Sequence, residues 1–278
     1  MALLATVAAC GGGDDDPVFG PIEQVVALGD SYAAGPGINP IVDGTCQRSG
    51  SNYGSLVAKK LKAQNYQDST CGGADTKDLV TGQTRRGVVV NQPQLSSVTE
   101  ATDLVTVGIG LNNGGASAFA LYVCLPSLNL KDYCDQYLAL PESDIIKKVD
   151  QIADSVKIGI ESIRDLAPNT RVVLVGYPRA LPDDAECPDI LPLTGEAADR
   201  LRLVLKAADV AYRRIAKESK IQYVSTYAAS KGHDMCSADP WANGLKDNSA
   251  TGGGAALHPT PAFMAAVADR VVAAVSKK

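Results

Sequence analysis

The chain has 278 residues, 45% hydrophobic and 21% charged, with a net charge of −5. That balance belongs to a globular fold and excludes a disordered chain. It carries no Lys/Arg cluster of the kind that binds nucleic acid, and no apolar run reaches the ~18–20 residues of a membrane span.

The first ten residues, MALLATVAAC, are an apolar run ending in small residues, the grammar of an export signal. Val7-Ala8-Ala9-Cys10 resembles a bacterial lipobox, which makes Cys10 the expected lipidation site. No Lys or Arg precedes it, so the sequence is expected to start inside a longer leader. Gly11 to Pro17 then reads as a flexible acidic tether. Residues 1–20 are thereby set apart from a single domain over residues 21–278.

Short apolar runs follow at Gln24–Gly29, Asp103–Gly110 and Arg171–Gly176, with a weaker one at Ile221–Ser225. Uninterrupted β-branched runs fit strands buried on both faces of a parallel sheet. Helical periodicity marks Asn52–Lys62, Ser143–Leu166, Glu196–Glu218 and Thr260–Val275, with Ser143 as a cap and Pro168 beyond the end of the second. Alternating strands and helices predict an α/β fold around a central parallel sheet. Residues 111–142 and 179–194 read as irregular insertions, and no internal repeat occurs.

Three motifs follow strands or precede the last helix. Gly29-Asp30-Ser31-Tyr32 leaves the first strand, and ligands of open parallel sheets bind beyond such carboxyl ends; the bland alternative is a serine helix cap. Gly108-Ile109-Gly110-Leu111-Asn112-Asn113 leaves another strand and offers amide donors suited to an oxyanion, or simply an Asn/Gly turn. Leu257-His258-Pro259 places one of only two histidines at a helix start. No phosphate loop or dinucleotide motif is present, and Gly35-Pro36-Gly37 matches neither. No cofactor is expected.

Seven cysteines occur, and setting aside Cys10 leaves an even six, as in exported, disulfide-bonded chains. Zinc fails on spacing, because no close cysteine pair exists and neither histidine sits in a ligand pattern. Spacing alone does not choose among the possible disulfide connectivities.

In ordered combination these blocks resemble the SGNH (GDSL-type) hydrolase superfamily. The matching segments are Gly29-Asp30-Ser31, Cys71-Gly72-Gly73-Ala74, Gly110-Leu111-Asn112 and Leu257-His258-Pro259, and the resemblance spans about residues 22–276. Cys46-Gln47-Arg48-Ser49, Gly232-His233-Asp234-Met235-Cys236 and Trp241-Ala242-Asn243-Gly244 are similar to its secreted, three-disulfide esterase and lipase branch. The resemblance implies a flavodoxin-like three-layer α/β/α sandwich. It implies a nucleophile at Ser31, a base at His258 and oxyanion donors at the Ser31 and Gly73 N–H groups and the Asn112 amide. It also implies disulfides Cys46–Cys71, Cys124–Cys134 and Cys187–Cys236. Asp30 is expected to shape the turn rather than react.

Two departures stand out. Asn113 follows Asn112, where the family usually has Asp. The family's carboxylate three residues before the histidine is replaced by Ala255. The expected substitute is the main-chain carbonyl of Ala255 or a neighbour in the glycine run. Asp247 and loss of activity are the alternatives. His233 is expected to be structural and bonded to Asp234, and Trp241 and Asn243 to shape the loop beside His258. The expected function is Ser–His cleavage of short- to medium-chain acyl esters or lipids by an exported, membrane-anchored or secreted monomer. The alternatives are a non-catalytic lipid- or glycan-binding lipoprotein and a phospholipase or acyltransferase.

Overall fold

The computed structural model describes residues 20–115, 124–193, 195–245 and 251–276. Cys10 and Asp247 lie outside them.

In chain order the strands are β1 (Gln24–Gly29), β2 (Ile41–Asp43), β3 (Arg48–Ser49), β4 (Asn65–Asp68), β5 (Gln83–Arg85), β6 (Val88–Asn91), β7 (Leu104–Gly108), β8 (Arg171–Val175) and β9 (Gln222–Val224). The helices are α1 (Ser31–Ala34), α2 (Tyr53–Leu61), α3 (Lys131–Leu138), α4 (Glu142–Leu166), α5 (Gly195–Glu218), α6 (Thr226–Ala229) and α7 (Pro261–Val275). Five strands form one parallel sheet in the order β4-β1-β7-β8-β9. Numbered by sheet strand alone, that is 2-1-3-4-5, the flavodoxin-like order. The other four strands make two short antiparallel hairpins, β2–β3 and β5–β6.

Side chains that alternate along each strand enter two separate cores. Val26, Leu28, Val105, Val107, Val172 and Leu174 face the layer of α4 and α5. Val25, Leu104, Val173 and Val175 face α2 and α7, where Phe263, Val267 and Val271 are fully buried. Burial on both faces explains why these strands read as unbroken apolar runs. The three-layer sandwich inferred from the sequence is the observed fold.

Three local expectations change. The edge strand β4, Asn-Tyr-Gln-Asp, carries no apolar run, and its pairing with β1 in register Gln24↔Asn65 gives it strand geometry. The insertion read as irregular contains α3. Helix α4 starts at Glu142 behind Pro141, so Ser143 lies inside the first turn and is not the cap. The caps of α2 and α7 are Asn52 and Thr260, whose side chains accept from Ser55 N and Phe263 N.

The disulfides are Cys46–Cys71, Cys124–Cys134 and Cys187–Cys236.

Candidate active site

Strand β1 stops at Gly29, whose φ of +152° and close packing both require glycine. A Cβ there would lie 2.4 Å from the Gly108 carbonyl oxygen. The buried Gln94 amide clamps this residue, accepting from Gly29 N at 2.7 Å and donating to Gly29 O at 2.9 Å. Asp30 N then donates to Gly108 O at 2.9 Å, which ties the end of β1 to the end of β7. Asp30 is the cap of α1, its Oδ1 accepting from Tyr32 N at 2.8 Å. Ser31 is therefore not the cap. It is the first helical residue, where a main-chain N–H has no intrahelical acceptor. Among the described residues neither its N–H nor its hydroxyl has a hydrogen-bond partner.

Asp30 is buried, and its Oδ2 accepts from the Tyr177 hydroxyl. Burial pushes its carboxyl up to about 7, against the opposing pull of the bonds from Tyr177 and Tyr32. The Tyr177 oxygen also accepts from Leu111 N at 3.2 Å. One phenol thus connects the turn carrying Ser31 to the turn carrying Asn112.

The glycine pair is fixed from both sides. Cys71 N donates to Gly29 O at 3.0 Å and Gly72 N to Cys46 O at 2.9 Å, beside the Cys46–Cys71 bridge. Gly73 follows at φ +73°, and its N–H has no partner among the described residues. Asn112 gives one amide hydrogen to Ala74 O at 2.9 Å, which orients the group and leaves the second hydrogen available. Asn113, in place of the usual acid, exchanges bonds with Thr76: its Oδ1 accepts from Thr76 N at 3.0 Å and its Nδ2 donates to Thr76 Oγ1.

At His258 the carbonyl against Nδ1 is that of Ala256, at 2.8 Å, the neighbour in the glycine run rather than Ala255 itself. The Ala255 oxygen is already engaged, accepting from His258 N at 3.2 Å and from Asn243 Nδ2 at 3.3 Å. Leu257 makes this exchange possible by adopting φ +61°, a conformation that costs a non-glycine residue on the order of 1–3 kcal/mol. Its carbonyl accepts from the Tyr32 hydroxyl at 3.0 Å. The buried Asn243 holds the loop, giving its N–H to His258 O at 2.9 Å and its side-chain amide to Gly253 O at 3.1 Å. Burial lowers the imidazole pKa, opposed by the Ala256 carbonyl.

His233 is stacked on Trp241, with ring centroids 4.7 Å apart, and its Nδ1 meets the Asp239 carbonyl at 2.8 Å. The expected bond to Asp234 is not made. That carboxylate instead accepts from Cys236 N at 3.0 Å within its own turn.

Ser31, Gly73, Asn112 and His258 all line one cavity of about 410 Å³, whose other walls include Leu125, Leu191, Leu193, Leu201, Leu205 and Met235. The cavity opens where the sheet order reverses between β1 and β7, the usual ligand position of this topology. Residues 27–266 match the model of the GDSL-like lipase/acylhydrolase family. The chain belongs to that family. Within it, the chain is 34% identical over 226 residues to Lipase 2 of Streptomyces coelicolor, covering 78% of this chain and 74% of that lipase. It is 24% identical over 287 residues to an esterase of Streptomyces scabiei, covering 90% and 81%. The extracellular lipase of Streptomyces rimosus shares the fold with a TM-score of 0.72 at 23% identity, over 90% of this chain and 99% of that one. This GDSL-like hydrolase is thus a carboxylic-ester hydrolase of the lipase/esterase kind. Its three disulfides place its folding in an oxidising compartment, as for an exported protein.

Sequence reasoning missed Gln94 and Tyr177 as parts of this site's frame, whereas Asn243 sits in the loop beside His258 where it was expected. Gln94 and Tyr177 belong to no motif; only the burial of polar side chains reveals them.

Proposed function

We propose that the protein hydrolyses short- to medium-chain acyl esters or lipids through an acyl-enzyme on Ser31. His258 takes the Ser31 proton as Oγ bonds to the ester carbonyl carbon. It returns that proton to the leaving alcohol as the C–O bond breaks, and water then repeats the sequence to release the acid. The developing oxyanion is held by the N–H groups of Ser31 and Gly73 and by the Asn112 amide, each donor worth about 10²–10³ in rate. The Ala256 carbonyl accepts a hydrogen bond from Nδ1–H, fixing the tautomer that leaves Nε2 as base. Imidazolium formed in the reaction is stabilised by a dipole rather than a carboxylate.

The observation carrying this reading is the convergence of two main-chain N–H groups without partners among the described residues, one half-engaged amide and a half-buried imidazole on one largely apolar cavity. The apolar walls suit the acyl chain. Lipidation at Cys10 would hold that cavity at a membrane surface, with the protein acting as a monomer.

The test is hydrolysis of a chain-length series of p-nitrophenyl esters by the wild type and Ser31→Ala, together with fluorophosphonate labelling. Turnover and labelling confined to the wild type support the assignment. Equal turnover by the folded Ser31→Ala variant, or an inert wild type that binds ester without cleaving it, refutes it.

A further inference from the structure

The Gly72–Gly73 peptide has a second set of partners away from its N–H. The carbonyl oxygen of Gly72 receives two side-chain donors, Gln83 Nε2 at 3.0 Å and a guanidinium nitrogen of Arg85. Both residues belong to β5 of the small hairpin. Arg85 is anchored at its other amino group by Thr45 O at 2.8 Å, and it forms no ion pair among the described residues. Gln83 is buried, and its own Oε1 has no partner among them. A buried acceptor left unsatisfied costs about 1–3 kcal/mol, a cost set against the bond from Gln83 Nε2 to Gly72 O.

What that bond does follows from the planarity of the peptide. C=O and N–H of a trans peptide point in opposite directions along one dipole. Donors placed on the oxygen draw electron density toward it and make the N–H at the far end a stronger donor, by roughly 10–30% per bond. A cationic donor contributes more than a neutral one. Here the far end is the Gly73 N–H, which lines the cavity and has no partner of its own among the described residues.

We propose that Gln83 and Arg85 are positioning residues for the hydrolytic reaction, acting through the Gly72 carbonyl to orient and polarise the Gly73 N–H toward the oxyanion. The inference rests on the oxyanion assignment above. Arg85 also lines the cavity, but in this scheme neither side chain touches the reacting atoms; the hairpin transmits its charge through one peptide unit.

The experiment uses Arg85→Met, Arg85→Lys and Gln83→Met in the full chain, with Ser31→Ala and Asn112→Ala in the same panel. It measures kcat and KM on p-nitrophenyl butyrate and the affinity of a trifluoromethyl ketone, whose adduct with a serine is a tetrahedral oxyanion. Arg85→Met should lower kcat about tenfold with KM within about twofold. It should weaken ketone binding by the same factor, and Arg85→Lys should recover part of both. Gln83→Met should show a smaller loss of the same kind. Unchanged kcat and ketone affinity in folded Arg85→Met overturn the proposal, as does a rise in KM alone, which would make Arg85 a substrate contact. Turnover by Ser31→Ala would instead sink the underlying hydrolase scheme. Loss of ketone affinity in Asn112→Ala but not in Arg85→Met would sink only this inference. Arg85 lies on an exposed hairpin, so its variants report even where Gln83→Met fails to fold.

Discussion

Replacing Asp30 by Asn should remove a pH-dependent loss of stability. Burial raises this carboxyl from 3.8 to about 7. Between those values the folded chain keeps a proton that the unfolded chain has released, so stability falls as pH rises through this window. At 1.36 kcal/mol per pH unit, the rise corresponds to about 4 kcal/mol between pH 4 and pH 7. Asn caps a helix as well as Asp does, so Asp30→Asn keeps the α1 cap while abolishing the titration. Urea unfolding of both proteins at half-unit steps from pH 4 to pH 8 isolates the effect. The wild type should lose ground steadily against Asp30→Asn across the window and no further above it. A difference that stays constant with pH would show that Asp30 ionises at an ordinary value, and that desolvation does not dominate at the base of the nucleophile turn. Tyr177→Phe is the companion: removing the phenolic donor should raise the Asp30 carboxyl further and move the loss to higher pH.

Asn112→Ala should cut kcat by about 10²–10³ with little change in KM; a KM effect alone would assign the amide to substrate binding. The acid limb of kcat/KM should have its midpoint below 6.5, because burial lowers the His258 pKa and the base must be neutral to accept the serine proton. The profile is best taken in Asp30→Asn, where the Asp30 carboxyl no longer titrates, and a midpoint at or above 6.5 would contradict the burial argument. Removing Cys187–Cys236, which closes a separation of 49, should destabilise by about 1.4 kcal/mol more than removing Cys124–Cys134, with a separation of 10. Urea midpoints of the two double-alanine variants measure this, and the reverse order would mean that native contacts outweigh chain entropy.

The sequence made the central strands and the large helices legible because their burial pattern is written in runs of Val, Ile and Leu. It concealed β4, because Asn65–Asp68 acquires strand geometry only from β1 and buries little. Ser31 and Asn112 were legible because each directly follows an apolar strand at a glycine-rich turn. The orienting carbonyl was legible only as Ala255 or a neighbour, for a backbone reason. Leu257 gives no sign in the sequence of its φ of +61°, and that angle brings Ala256 rather than Ala255 against the imidazole. His233 and Asp234 are neighbours in sequence, yet the turn sends their side chains to different partners. Gln83, Arg85 and Gln94 were invisible because they work on main-chain groups far away in sequence, a relation that no local spacing encodes.

The Tyr32–Leu257 hydrogen bond spans 225 residues and joins the neighbour of Ser31 to the neighbour of His258. Helix α7, which follows that histidine, packs on α2 from the early part of the chain. A polypeptide emerging amino end first therefore carries its serine long before it owns a working site. In the proposed scheme the site is complete only when the last helix has docked. The order of synthesis thus sets when the two halves of the site can meet, and a cut that removes the carboxyl-terminal helix takes away the packing that brings them together.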